Sequence, residues 1–62
     1  MSREALFEFH RVGAYMKVTA LDPETGIEVS IVGPANAAEY TLRSNALRKL
    51  YAVLRKRAAE KG

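Results

Sequence analysis

The chain has 62 residues, no cysteine and a formal net charge of +3. Such a length supports one hydrophobic core near the lower limit for a free-standing fold, and the lack of cysteine excludes both a disulfide framework and a cysteine-rich zinc site. The charge is unevenly spread: three cations stand against five carboxylates in residues 1–33, and seven against two in residues 34–62.

The opening run Met-Ser-Arg-Glu-Ala-Leu-Phe-Glu-Phe-His breaks its apolar residues with charges and offers no signal-peptide core. The uncharged stretch from Ser30 to Ala38 is far too short for a membrane span. A cytoplasmic protein is the expectation.

Ala5 to Arg11 alternates between apolar and polar residues and is read as a strand over about residues 5–11. Gly13 separates it from a second alternating run over 14–21. A connection centred on Val12 and Gly13 pairs Phe9 with Met16, Phe7 with Val18 and Ala5 with Ala20 on one face. It pairs Glu8 with Lys17 and His10 with Tyr15 on the other.

Asp22-Pro23-Glu24-Thr25-Gly26 is a turn signal, with proline pre-set for the first central position and glycine free to take φ > 0. A four-residue loop sets Asp22 opposite Ile27 and leads into a third strand over 27–32. Val18 then faces Ile31, Ala20 faces Val29 and Thr19 faces Ser30. A one-residue slip would mix apolar and polar faces, so turn chemistry and patterning select one register.

Gly33-Pro34 ends the third strand. Asn36 and Glu39 have capping-box spacing, which predicts a short helical turn over about Ala37–Leu42. Ser44 is read as the cap of a main helix over 45–59, with Leu47, Leu50, Tyr51, Leu54 and Ala58 as its apolar stripe. The expected architecture is a single α+β domain over 1–62: a three-stranded antiparallel β-meander with a C-terminal amphipathic helix packed on one face. Phe7, Phe9, Val18, Ile31, Leu47, Leu50 and Leu54 form the expected core.

Few residues invite chemistry. His10 is the only histidine, and one imidazole without a second nitrogen or sulfur ligand makes neither a usual zinc site nor a triad. Asp22, Glu24 and Glu28 cluster at a hairpin, where Asp22 bonds its own turn rather than serving as half of a hydrolytic acid pair. The segment Gly33-Pro34-Ala35-Asn36-Ala37-Ala38 leads into a helix start but lacks the glycine spacing and Lys-Ser/Thr ending of a phosphate loop. No catalytic, cofactor-binding or metal residues are assigned.

Two surfaces remain. Arg48, Lys49, Arg55, Lys56 and Arg57 lie off the apolar stripe and form a basic helix surface, the candidate contact for nucleic acid, although aromatic residues placed to stack on bases are scarce there. Leu6, Tyr15, Leu21 and Val32 point to the sheet face away from the helix and are the candidate self-association surface. The two outer strands are further candidates, since nothing in the sequence covers their edges.

The run Phe9-His10-Arg11-Val12-Gly13-Ala14-Tyr15-Met16-Lys17-Val18-Thr19-Ala20-Leu21-Asp22-Pro23-Glu24-Thr25-Gly26-Ile27-Glu28-Val29-Ser30-Ile31-Val32-Gly33-Pro34, continued by Leu47-Arg48-Lys49-Leu50, resembles short uncharacterised bacterial proteins grouped as a domain of unknown function. That resemblance implies no activity and no functional residues. In outline, three antiparallel strands and a helix are also similar to methyl-CpG-binding and plant ethylene-response domains, which read DNA with an arginine-rich sheet face. Here the outer face carries Glu8 and Glu28 beside Lys17. The expectation is a non-enzymatic interaction module that forms a homodimer or binds a protein partner, with nucleic-acid binding by the basic helix as the alternative.

Overall fold

The structure, a computed structural model, describes residues 4–61, the side chain of Lys61 excepted. Three strands, β1 (Leu6–Val12), β2 (Tyr15–Leu21) and β3 (Glu28–Pro34), form an antiparallel sheet in the order β1-β2-β3, and one helix, α1 (Glu39–Lys61), packs against it. The fold is α+β, a meander followed by a helix.

The β2–β3 register is the one that the turn chemistry requires, with Val18 opposite Ile31, Thr19 opposite Ser30 and Ala20 opposite Val29. The turn closes through Asp22 N–H donating to Ile27 O (2.9 Å) and Gly26 N–H donating to Asp22 O (2.8 Å). Gly26 adopts φ 77°, the left-handed region that a side chain disfavours.

The first hairpin corrects the sequence reading. Val12 pairs with Tyr15, so the connection is the two-residue loop Gly13-Ala14, and Phe9 faces Val18 rather than Met16. Gly13 takes φ 58° and Ala14 stays at negative φ, the pattern of a type II′ turn, whose twist matches that of the flanking strands. Because the shift is two residues, every side chain keeps the face expected for it, but the partners change: His10 faces Lys17, and Glu8 faces Thr19. Val12 thereby moves from a turn into the sheet.

The helix is the second correction. It starts at Glu39 and continues without a break through Ser44, so there is neither a separate turn over 37–42 nor a cap at Ser44. Serine in a helix interior costs only a fraction of a kcal/mol relative to alanine, and burial of Leu42 and Ala46 on either side of Ser44 outweighs that cost. Asn36 lies outside the helix and is exposed, while the Glu39 carboxylate pairs with Arg43 at 2.7 Å. No capping box forms.

Extending the helix re-aims its stripe. Leu42, Ala46 and Leu50 are buried with Val18 and Ala20, and Leu54 packs on the same cluster, an i, i+4 row along α1. Tyr51 and Ala58, expected on the stripe, are exposed, and Leu47 sits half-buried at its flank. Of the expected core, Val18 and Leu50 are fully buried, while Phe7, Phe9, Ile31 and Leu54 pack around them half-covered. The reason is lateral: α1 lies over β2 and β3 and scarcely touches β1. Arg43 leans over the Phe7 ring, 5.4 Å from its centroid, and partly covers the gap.

Close approach of α1 to β3 depends on Gly33. A Cβ there would sit 2.5 Å from Cδ2 of the buried Leu42. Gly33→Ala should therefore destabilise the fold by about 1–3 kcal/mol through overpacking, and the Gly33→Ala/Leu42→Ala pair should cost less than the sum of its two single variants. Leu50→Ala, which opens a cavity at the centre of the stripe, should cost about 2–5 kcal/mol. Thermal or denaturant unfolding checks both; unchanged melting in either single variant contradicts this packing.

Candidate functional site: the outer face of the sheet

Side chains alternate along a strand, so α1 can cover only one face of the sheet. The other face holds four cross-strand rows: Val12, Tyr15 and Pro34; His10, Lys17 and Val32; Glu8, Thr19 and Ser30; Leu6, Leu21 and Glu28. Among the described residues no element lies over it. Leu6 is 55% exposed, Val12 58%, Tyr15 61% and Val32 65%, far more than an apolar side chain keeps when packed.

All four residues expected on this face are there. Leu6 and Leu21 are direct partners at one end, and Tyr15 and Val32 lie diagonal to one another at the other. Val12 was missed, because the sequence reading placed it in a turn. The place of glycine in the two-residue loop is the signal that would have found it: Gly13 at the first central position satisfies a type II′ turn, whereas Val12 ahead of Gly13 would itself need φ > 0 in a type I′ turn.

Between the apolar ends is a shallow depression of about 190 Å³ lined by Glu8, His10, Lys17 and Thr19. Its floor is polar and cross-linked, with the Thr19 and Ser30 hydroxyl oxygens 2.9 Å apart. Along β1 and β2 the face thus reads, from end to end, apolar, cationic, anionic, apolar, with Glu28 of β3 beside the last row.

The basic helix residues meet different surroundings. Lys49 reaches across to β3 and donates from Nζ to Ser30 O at 2.8 Å. Thr19 and Ser30 are a wide-spaced pair, so that carbonyl points away from β2 to the free edge of β3. The ammonium group occupies an edge acceptor that a further strand would otherwise use, a known means of blunting sheet edges. Arg57 is on another side again, lining an open cleft of about 910 Å³ between α1 and the β2–β3 turn, with Glu24, Glu28 and Glu60 around it. Arg48, Arg55 and Lys56 remain exposed on α1.

Asp22 is the buried carboxylate among the described residues. It accepts the Thr25 hydroxyl hydrogen bond at Oδ2 (2.8 Å) and faces the Glu24 N–H at Oδ1 (3.4 Å). Thr25 Oγ1 in turn accepts from Ile27 N–H at 3.2 Å. These bonds lie within the turn, the role expected from the sequence. Among the described residues no group of three or more His, Asp or Glu side chains is placed to hold a metal ion, and no helix is long and apolar enough to cross a membrane.

Comparison with known families matches residues 2–57 to DUF6898, described as a domain of unknown function. The chain belongs to that family. The match spans the sheet, the outer face and α1 as far as Arg57, so the face described above is part of what the DUF6898 match covers. No curated protein and no solved structure matches.

If Asp22 holds the turn together, Asp22→Ala should cost about 0.5–1.5 kcal/mol by removing its part-buried bonds to the Thr25 hydroxyl and the Glu24 N–H. The check is equilibrium unfolding together with hydrogen exchange at Ile27 and Gly26. Unchanged stability and unchanged exchange would remove Asp22 from the frame of the hairpin.

Proposed function

We propose that this protein is a small, non-enzymatic interaction module that self-associates through the outer face of its sheet. The observation that carries the reading is the contrast between the two faces. On one, Leu42, Ala46 and Leu50 of α1 seal Val18 and Ala20 completely; on the other, Leu6, Val12, Tyr15 and Val32 stand more than half exposed. Transferring apolar area from water is worth roughly 25 cal/mol per Å², and a chain of this size has little core to spare, so covering that face benefits fold and assembly together.

Nucleic-acid binding by the basic helix has less behind it. Lys49 is engaged at the edge of β3 and Arg57 sits among carboxylates, which leaves Arg48, Arg55 and Lys56 as a thin cationic surface. Binding of that kind is dominated by counterion release and falls steeply with salt. Steep salt-dependent binding of a generic duplex, lost on Arg48→Glu with Arg55→Glu, would transfer the function to α1.

Sedimentation equilibrium tests the main reading. A monomer–dimer equilibrium that depends on concentration is expected, and Tyr15→Glu or Val32→Lys should shift it toward monomer with helix content unchanged by circular dichroism. A folded protein that stays monomeric up to millimolar concentration rules the reading out.

A further inference from the structure

Resting on that reading, we infer that the partner is a second copy of this chain, packed outer face to outer face about a two-fold axis that lies in the interface and runs across the strands, between the His10 and Glu8 rows. The inference comes from the order of the rows. Closed homodimers use one self-complementary patch, so the face must match itself under the symmetry operation.

Two in-plane axes are compatible with aligned packing of sheets, which tolerates an angle of about 30° between strand directions. An axis along β2 keeps each row on itself. It sets Lys17 against the partner's Lys17, a like-charge contact at the centre of the face. An axis across the strands reverses the row order and lays each strand on its own copy. Val12 then meets the partner's Leu6, Tyr15 meets the partner's Leu21, and His10 meets the partner's Glu8, while on β3 Val32 meets the partner's Ser30 and Pro34 the partner's Glu28. Lys17 lands on the partner's Thr19, one strand away from the same Glu8.

Each contact occurs twice, and the central depression lined by Glu8, His10, Lys17 and Thr19 brings two Lys17–Glu8 pairs of opposite charge together between the apolar ends of β1 and β2. The charge order along the face, cation row beside anion row, is what this operation needs and what the other one wastes. The footprint is small: three strands at ~4.8 Å spacing and ~23 Å length give roughly 300–400 Å² per partner in projection, below that of a typical stable interface. Association is therefore weak and reversible, with exchange between monomer and dimer in the micromolar range or above.

A charge-swap series measured by sedimentation equilibrium tests the arrangement. Glu8→Lys places like charge against the partner's Lys17, and Lys17→Glu places like charge against the partner's Glu8, so each alone should weaken dimerisation at least tenfold. The double variant Glu8→Lys/Lys17→Glu restores opposite charges across the axis and should recover most of the wild-type affinity. Circular dichroism on all three guards against unfolding, and the pairing partners of both residues within the sheet, Thr19, His10 and Val32, remain untouched. Under the strand-parallel axis Lys17→Glu leaves like charges facing one another, so a dimer unaffected by Lys17→Glu and Glu8→Lys but tightened by Lys17→Gln overturns this axis in favour of the strand-parallel one while leaving outer-face association standing. A dimer insensitive to Glu8 and Lys17 but lost on Tyr15→Glu likewise overturns the axis alone. If Tyr15→Glu has no effect either, the outer face is not the interface, and the reading beneath the inference fails with it.

Discussion

The closed turn around Asp22 holds the β2–β3 pair in a single register, and most other features of the protein follow from it. With Asp22 N–H on Ile27 O and Gly26 N–H on Asp22 O, Val18 must face Ile31 and Ala20 must face Val29. That parity decides which side of β2 is apolar enough for α1, and β1 joins with the same parity although its own loop is shorter than four residues. The helix then covers one side, and the remaining side chains are left as an uncovered face by construction. Slipping the register by one residue would set Val18 opposite Ser30 and mix apolar and polar side chains on the face that α1 covers.

Covering one face with a single helix is an incomplete solution for a sheet of three strands. Gly33 lets α1 sit close against β3, and Lys49 ties α1 to the edge of that strand through Ser30 O, so the helix is drawn to the β3 side. The consequence is a half-covered β1, where Phe7 depends on Arg43 for part of its cover. Beyond Leu54 every described side chain of α1 is exposed, so the basic C-terminal turns extend past the core and gain stability only by continuation from the packed part. The charge asymmetry of the chain is largely the asymmetry of this overhang.

Much of this architecture is legible in the sequence, for reasons that differ by element. The β2–β3 hairpin announces itself because Pro23, Gly26 and the alternating flanks encode the same register independently. The β1–β2 connection is ambiguous, since Gly13 suits a loop centred before or at itself, and parity alone cannot tell two registers two residues apart. The helix start is misread because Ser44 looks like a cap by type, whereas its role is set by Leu42 and Ala46 meeting the sheet. On the outer face, Leu6, Tyr15, Leu21 and Val32 follow from parity, but Val12 and the row order follow only from the true register. The basic cluster shows the opposite limit: Arg48, Lys49, Arg55, Lys56 and Arg57 read as one group in a linear sequence, and the helix sends them to three different surroundings.

The central claim is that the two faces of the sheet have different fates, one sealed by α1 and one reserved for association. Backbone amide chemical shifts followed over a dilution series report this residue by residue. The account predicts concentration-dependent shifts at Glu8, His10, Tyr15, Lys17 and Val32 that saturate together on a single isotherm, with α1 from Leu47 to Arg57 unmoved. Shifts confined to α1, or none at any concentration, would contradict it.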